Sequence, residues 1–423
     1  MVDMYFLAQI SDQAAASVGA ILAFLGFGML TVSSLSRSCC NIATQYLGAG
    51  KKQDANHVFT IAIALSLIVG LAWSLLLILF SETIAVALGL DSDLVILAAA
   101  YMPIIGWGFA FFSIRRALAS IMESYGHTRD NLLSSIVLNL MNLGLNALFL
   151  IQFGDGPDTT SIQLIALATV SSWFTGLLLS IGLAYRRKLL HGLGWIEKEK
   201  IRSYLVQIFR IAIPAIAEPM AYQGSRVAVT MFIVSMGSMA LATNVYVGQA
   251  LTFVILIAVA VSQGSSVLIA NSVGAKDFSN ANDILWKSLG LATVSTIFVT
   301  FWLIVFYRPV FGLLTSDESI MSLARDILLL SLVSDLGRCM NVVVGANLRA
   351  TGDAVFNSTT GMIVMWCIAV PLAYFFGIVL DFGLMGIFMA NAVDEAIRGL
   401  ICIYRWRQNI WQSSGINRQL ATS

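Results

Sequence analysis

The sequence predicts an all-α polytopic membrane protein built from two six-helix bundles, and three observations support this fold class. Of its 423 residues, 58% are hydrophobic and 11% are charged, whereas ordinary soluble domains carry about 25% charged residues. Long uncharged runs, such as 58–80, exceed the about 20 residues with which a helix spans a bilayer. A repeat, described below, assigns six spans to each half of the chain, the first of them truncated.

Apolar segments separated by turn signals predict eleven full spans, preceded by a short apolar piece at 1–10. The mean hydropathy of +0.85 fits a chain that lies mostly in lipid. The spans are expected at 14–38, 57–80, 94–122, 131–151, 161–185, 208–236, 242–272, 284–306, 320–348, 355–379 and 383–404.

The distribution of charge predicts the orientation of these spans. Every second connection is basic, and together with the tail at 404–423 these connections hold 15 Lys and Arg residues. The alternate connections hold only Arg308. Because cytoplasmic loops carry the excess of Lys and Arg, we expect the basic set and both termini to be cytoplasmic.

Two similar loops show that the second half of the chain repeats the first. QYLGAGKKQDAN (45–56) and NSVGAKDFSNAN (271–282) align at an offset of 226 residues. The same offset places Gly126 on Gly352 with no net insertion. Each repeat holds an even number of spans, so both copies insert the same way up, as in transporters with parallel repeats.

The repeat sets the predicted domain boundaries. We expect an N-terminal bundle at 1–187, a cytoplasmic linker at 188–206, a C-terminal bundle at 207–410 and a cytoplasmic tail at 411–423. The helix at 208–236 aligns mostly with positions before Met1, so the first span is expected to be truncated.

Several short motifs, in this order and at these helix positions, resemble the multidrug and toxic compound extrusion (MATE) family of efflux transporters across essentially the whole chain. The motifs are VDMYF (2–6), QYLGAGKKQDA (45–55), YMPI (101–104), the Gly126 turn, NLGLN (142–146), ALAT (166–169), VGQA (247–250), NSVGAKD (271–277), LRATGD (348–353) and RWRQNIW (405–411).

The resemblance implies twelve helices in two lobes around a V-shaped cleft. It also implies alternating access, in which organic cations and other amphipathic or drug-like molecules leave as Na⁺ or H⁺ enters. The expected location is the bacterial inner membrane. The expected partners are a small-molecule substrate and membrane lipid, with no oligomer and no cofactor beyond the coupling ion.

An acidic group inside the bilayer is costly and is therefore a functional candidate. Asp3 matches the family's acidic residue on the first helix, whose role there is cation coupling. Asn142 and Asn146 lie four residues apart, on one helix face, and match an Asn-x-x-x-Asn/Asp pair of the family. Thr169 matches a threonine of the sixth helix. We predict one cluster of these four residues that binds H⁺ or Na⁺, or alternatively asparagines that only join helices by hydrogen bonds.

The predicted second lobe departs from the family pattern. Counted from Gly237 and Arg349, the acidic positions of the sodium-coupled branch hold Tyr222 and Arg338 in this chain. Glu218 and Asp335 lie one helical turn away and are possible second coupling residues. An Asp335–Arg338 ion pair is the alternative for Asp335, and neutralisation by Arg226, two turns along the same helix, is the alternative for Glu218.

Three further predictions concern mainly the same half of the chain. The Asp394/Arg398 spacing favours a structural ion pair on the last helix. Gln249 and Tyr222 are candidates for contact with substrate in the cleft. Gly48, Gly50 and Gly274 are expected to be turn and C-cap residues without a ligand.

Other function classes are weighed against transport. A flippase for lipid-linked oligosaccharides needs several deep Arg or Lys residues, and we expect only Arg226 and Arg338 to be deep, both beside acids. A transport-inactive relative stays an alternative. An enzyme is not expected, because HExxH, GxSxG and phosphate-loop motifs are missing.

Composition excludes other partners. A net charge of +1 gives no indication of nucleic acid, and no metal-ligand spacing occurs beyond a possible Na⁺ site at the Asp3 cluster. All five cysteines lie in apolar segments and are expected to be small hydrophobic residues rather than disulfide partners.

Overall fold

The computed structural model describes residues 2–153, 158–194, 196–312, 315 and 317–413, and the regular structure in these ranges is helical. The helices are α1 (Val2–Ile10), α2 (Asp12–Gly48), α3 (Lys52–Leu79), α4 (Ser81–Ala87), α5 (Ser92–Ser124), α6 (Thr128–Phe153), α7 (Asp158–Arg186), α8 (Lys198–Ser235), α9 (Ser238–Gly274), α10 (Phe278–Val305), α11 (Tyr307–Gly312), α12 (Glu318–Ala350), α13 (Ala354–Val379) and α14 (Gly383–Arg407), followed by a 3₁₀ turn at Ile410–Ser413.

Ten helices of the described part are long and apolar enough to cross a membrane. They are α2, α3, α5 to α10, α12 and α13, and they correspond to the first ten of the eleven predicted spans. The last helix, α14, has 25 residues but carries Asp394, Glu395 and Arg398 in its interior, which lower its hydropathy. All three of these side chains are buried, so the charges are enclosed in protein instead of facing lipid.

Two of the long helices contain turns of π-helix. In α12 the turn is Met340–Val344, and in α13 the turns are Met365–Ala369 and Phe375–Val379. Such turns interrupt the regular backbone ladder of an α-helix and are frequent at functional sites. In α12 the π-turn includes Asn341, whose side chain contributes to a buried charge cluster described below.

The backbone repeats at the same offset as the sequence. Gly50 has φ +75° and Lys276, 226 positions later, has φ +60°, while Gly126 and Gly352 have φ +77° and +98°. At the end of α2, the Lys51 amide donates to the Tyr46 carbonyl over 2.9 Å, and at the end of α9 the Asp277 amide donates to the Ser272 carbonyl over 2.9 Å. Both ends therefore close with the same left-handed capping turn.

The chain divides into two compact units. One contains 1–43 and 52–205, and the other contains 44–51 and 206–423. In the first unit, α5 packs against both α3 and α7, and a core cluster that includes Phe109 and Trp173 joins these helices to α2. In the described part of the second unit, one core cluster includes Phe311 and Leu328, and another includes Val343 and the stacked Trp406–Trp411 pair.

Of the three glycines predicted to be turn or C-cap residues, the prediction is confirmed for Gly50. Gly48 and Gly274 are the last residues of α2 and α9 and have no positive φ, and the turn conformation belongs to Gly50 and Lys276. Within the second unit, a Cβ atom on Gly48 would lie 2.8 Å from the Asn271 carbonyl carbon. A Cβ atom on Gly274 would lie 2.7 Å from the Gln45 carbonyl carbon. The two repeated glycines are therefore required by a close, reciprocal backbone contact.

Replacing Gly48 with Ala is expected to lower the thermal unfolding midpoint, because the added methyl group meets backbone atoms that cannot rotate away. Gly26→Ala is the matched control on the same helix, since no atom lies within 4 Å of its Cβ position. Alanine is a better helix former than glycine by about 1 kcal/mol, so the control should retain or raise the midpoint. Equal midpoints for both variants, measured on purified protein in detergent, would contradict the contact.

Candidate cation-binding site

The first unit brings the four predicted coupling residues together. Asp3 lies in the first turn of α1, Asn142 and Asn146 lie on one face of α6, and Thr169 lies in the middle of α7. The helix α1 packs against both α6 and α7. The 3.6-residue period places the two asparagines one turn apart, so both amides reach the same carboxylate.

The carboxylate of Asp3 is surrounded by hydrogen-bond donors. Its Oδ1 accepts from the Asn142 Nδ2 at 3.0 Å and from the Asn146 Nδ2 at 2.8 Å. Its Oδ2 accepts from the Thr169 hydroxyl at 2.8 Å. The Asn142 amide also lies 3.2 Å from the Thr169 Oγ1. The shell is neutral, so the charge of the cluster depends on Asp3 and on whatever cation binds it.

Burial leaves one acceptor of this cluster without a partner. Asn146 is fully buried, and its Oδ1 has no hydrogen bond in the described part of the chain. Asn142 and Thr169 are also buried. An orphaned buried oxygen next to a carboxylate is unfavourable unless a cation or a proton is shared there. The site therefore has the hard oxygen atoms that Na⁺ or H⁺ requires.

The prediction missed one neighbour of this site. Tyr101 of α5 is 1% exposed and lies within electrostatic range of Asp3. It belongs to the YMPI motif, which the sequence analysis used as a landmark without giving the tyrosine a role. A buried phenol near a carboxylate adds a further polar group to the wall of the site.

In the second unit, Glu218 has a different partner from the one proposed for it. Arg226 was considered as its neutralising group, but the Glu218 carboxylate pairs with the Arg349 Nη1 at 3.1 Å and accepts from the Ser358 hydroxyl at 2.8 Å. The partners come from α12 and α13 because tertiary packing, not helix spacing, decides which cation is nearest. Arg226 instead lies 6.0 Å from the ring centre of Tyr222.

Asp335 belongs to a buried charge cluster of the second unit. The predicted Asp335–Arg338 ion pair is confirmed, with 2.7 Å between Oδ1 and Nη1, and the Thr300 hydroxyl donates to Asp335 over 2.5 Å. The predicted Asp394–Arg398 ion pair is confirmed as well.

Glu395 joins these two pairs, which the sequence analysis did not predict. Its carboxylate lies 3.3 Å from Arg398 and 3.9 Å from Arg338, and it accepts from the Asn341 Nδ2 at 2.8 Å. Its two arginine partners come from different helices, so Glu395 links α12 to α14.

The remaining second-lobe candidates have simpler environments. Gln249 of α9 and Tyr222 of α8 are both exposed side chains. No group of three or more His, Cys, Asp and Glu residues is arranged for a metal ion within the described ranges. The five cysteines are free, and all but Cys367 are buried. A contact of Gln249 or Tyr222 with substrate stays a prediction.

The expectation that only Arg226 and Arg338 are deep was wrong. Arg37 lies in the interior of α2, and Arg115 and Arg116 lie in the interior of α5. The sequence analysis did not include these three arginines in its count of deep residues. The argument against an anionic substrate, which depended on that count, therefore does not hold.

Comparison with known proteins gives the family. The MatE family model matches residues 1–148 and 214–375. The chain is 31% identical to the uncharacterized transporter YisQ of Bacillus subtilis, covering 98% of this chain and 91% of YisQ. It is 22% identical to the probable multidrug resistance protein NorM of Mannheimia succiniciproducens, covering 96% and 88%.

Solved structures share the fold. A crystal structure of MATE in the bent conformation matches with a TM-score of 0.88 at 15% identity, over 100% of this chain and 92% of that one. The Vibrio cholerae MATE transporter VcmN in the bent form matches with a TM-score of 0.87 at 17% identity, over 96% and 91%.

These findings define a multi-pass membrane transporter and not an enzyme. The chain belongs to the MATE family of multidrug efflux transporters.

Proposed function

We propose that this protein is a secondary active antiporter, which exports amphipathic organic cations of drug or metabolite type in exchange for H⁺ or Na⁺. The observation that carries the proposal is the single carboxylate of Asp3 inside a neutral, buried shell of Asn142, Asn146 and Thr169. The proposed location is the inner membrane with both termini cytoplasmic, and the proposed working unit is a monomer without a cofactor. The name of NorM, a probable multidrug resistance protein, supports the substrate class.

The chemistry of the site provides the coupling. A bound cation cancels the charge of Asp3, and its release restores a carboxylate that needs all three donors around it. The two states therefore differ in how strongly α1 is held to α6 and α7, which is the differential interaction that a conformational change requires. We propose Glu218 and Asp335 as positions of a second coupling step only if the Asp3 site does not account for transport.

Three donors surround the carboxylate of Asp3. Both amides direct nitrogen towards it, and the Thr169 hydroxyl donates to it as well. Coordination of Na⁺ requires the oxygen atoms of those amides to turn inwards. The orientation of the amides thus distinguishes the two ions, and spectroscopy of the asparagine side chains in Na⁺ and K⁺ buffers reports it.

Transport in proteoliposomes tests the proposal. A Na⁺ gradient and a pH gradient are imposed separately, with the membrane potential clamped, and the movement of ethidium is followed by fluorescence. We expect one of the two gradients to drive ethidium against its own gradient, and that gradient identifies the coupling ion. No response to either gradient by folded protein would overturn antiport.

The three deep arginines of the first unit favour a second candidate, a flippase for lipid-linked oligosaccharides. Arg37, Arg115 and Arg116 are the kind of cationic groups that hold a pyrophosphate-linked substrate. The assay separates this candidate, because a flippase moves a labelled lipid across the bilayer and leaves ethidium where it is. A transport-inactive relative would move neither.

A further inference from the structure

The first unit contains a cationic cluster that the Asp3 site does not use. Arg37 on α2 and Arg116 on α5 lie near one carboxylate, that of Glu123, and Arg115 lies beside Arg116. Arginine stays protonated in proteins, so the four side chains have a net charge of +2. Arg116 lies eight residues before the end of α5, which is about 12 Å of helix rise. The charge is therefore inside a membrane-spanning helix and not at its end.

Glu123 is already occupied by other groups. Its Oε1 accepts from the Asn131 Nδ2 at 2.9 Å, and its Oε2 lies 2.9 Å from the Arg37 Nη1. Within the described residues, neither Arg115 nor Arg116 forms an ion pair with a carboxylate. The Nε atoms of both are buried and have no hydrogen-bond partner there. Each of the two guanidinium groups thus keeps one donor, its Nε, that no group of the described residues satisfies.

The surroundings of these arginines are shaped by small and polar residues. The Cδ atom of Arg115 lies 3.1 Å from the position that a Cβ on Gly176 would take, so the absent side chain of α7 makes room for the arginine stem. Arg116 lies in electrostatic range of Arg37 and of Cys40 on α2. One turn along from Arg37 and Arg116, the Asn41 Oδ1 and the Ser120 hydroxyl are also buried, with no hydrogen-bond partner among the residues that the structure describes.

An uncompensated pair of charges in this position is unfavourable. Removing an ion from water costs several kcal/mol even after the protein relaxes, and a nearby opposite charge is what offsets that cost. Arg116 has like charges beside it and only a shared carboxylate. The guanidinium fork presents parallel N–H donors, which match the two oxygens of a carboxylate or a phosphate.

We propose that Arg115 and Arg116, with Arg37, form a binding site for an oxyanion, a phosphate or carboxylate group carried by an amphipathic molecule. Arg37 and Glu123 hold each other in place, and the two arginines of α5 supply the donors that contact the ligand. The Ser120 hydroxyl adds one donor one turn away. The ligand source is either a soluble anion or the headgroup of an anionic phospholipid. The site uses the same arginines as the flippase candidate but does not rest on cation coupling at Asp3. Its test is a binding measurement, so it can fail or succeed separately from either transport assay.

The experiment uses the full chain purified in a neutral detergent. Its thermal unfolding midpoint is measured with sodium phosphate and with sodium acetate at constant ionic strength, in the parent and in Arg115→Gln, Arg116→Gln and the double variant. Arg186→Gln, which removes an exposed arginine at the end of α7, is the matched control. In a second arm, the protein in nanodiscs with and without phosphatidylglycerol is analysed for bound lipid by native mass spectrometry.

We expect an anion to raise the midpoint of the parent and of Arg186→Gln, and we expect the double variant to bind it at least about tenfold more weakly. Without anions the double variant should unfold at a higher temperature than the parent, because an unpaired charge is gone. If the arginines had only a structural role, the double variant would unfold at a lower temperature than the parent.

Replacing Glu123 with Gln should change anion binding in the direction opposite to the arginine variants. Removing the one carboxylate raises the net charge to +3, and we expect tighter anion binding. Response to phosphate or acetate indicates a soluble ligand, and retention of phosphatidylglycerol alone indicates a lipid headgroup. Binding of neither, or equal binding by the parent and the double variant, would overturn the site.

Discussion

Replacing Asp3 with Asn is expected to abolish transport driven by a cation gradient while the amount of folded protein in the membrane stays the same. Asparagine has nearly the shape of aspartate, so its oxygen can still accept from Asn142 and Asn146 and its amide can donate to the Thr169 hydroxyl. The fold around the site is therefore retained. The variant cannot bind and release a proton or attract Na⁺, since its side chain is neutral in both states.

The measurement is accumulation of ethidium against its gradient in proteoliposomes, and we expect a loss of at least about a hundredfold in initial rate, to the level of empty liposomes. Asp93→Asn is the matched control, because Asp93 is an exposed aspartate in the first turn of α5. Gradient-driven transport by Asp3→Asn at the parental rate would show that coupling takes place elsewhere in the chain. Glu218 and Asp335 would then be the residues to replace next.

The Asp3 cluster illustrates what local pattern and resemblance predict well. The helix period alone places Asn142 and Asn146 on one face. Asp3 and Thr169 lie within short motifs that match the family's first and sixth helices. The spacing of residues on one helix also predicted the Asp335–Arg338 ion pair. In each case the deciding information lies within a few residues of the group concerned, so a reader of the sequence has access to it.

Contacts between segments far apart in the sequence could not be predicted. The partner of Glu218 is Arg349, 131 residues away, and no helix period points from one to the other. Gly48 and Gly50 look alike in sequence, but one is needed for a close backbone contact and the other for positive φ. The contacts of Glu395 could not be predicted either. They depend on the packing of α14 on α12, which the pattern of apolar residues does not specify.

The cluster around Glu395 is the place where a single substitution should affect stability most. Arg398 pairs with Asp394 and lies 3.3 Å from Glu395, and all three side chains are buried. Arg398→Gln leaves three carboxylates in the protein interior, those of Asp335, Asp394 and Glu395, with Arg338 as the remaining cation. Breaking a buried ion pair from one side typically destabilises by about 3–5 kcal/mol, because the partner charge stays buried without compensation.

We therefore expect Arg398→Gln to unfold at a markedly lower temperature, measured as the fraction of monodisperse protein that survives heating in detergent. Arg308→Gln is the control, since Arg308 is an exposed arginine of the same unit whose nearest carboxylate, on Glu318, is 3.8 Å away. Little change is expected there because solvent screens that pair. The double variant Asp394→Asn with Arg398→Gln should recover most of the loss, as it removes both members of the pair. If the double variant is as unstable as Arg398→Gln, the arginine acts through packing of its stem and not through its charge.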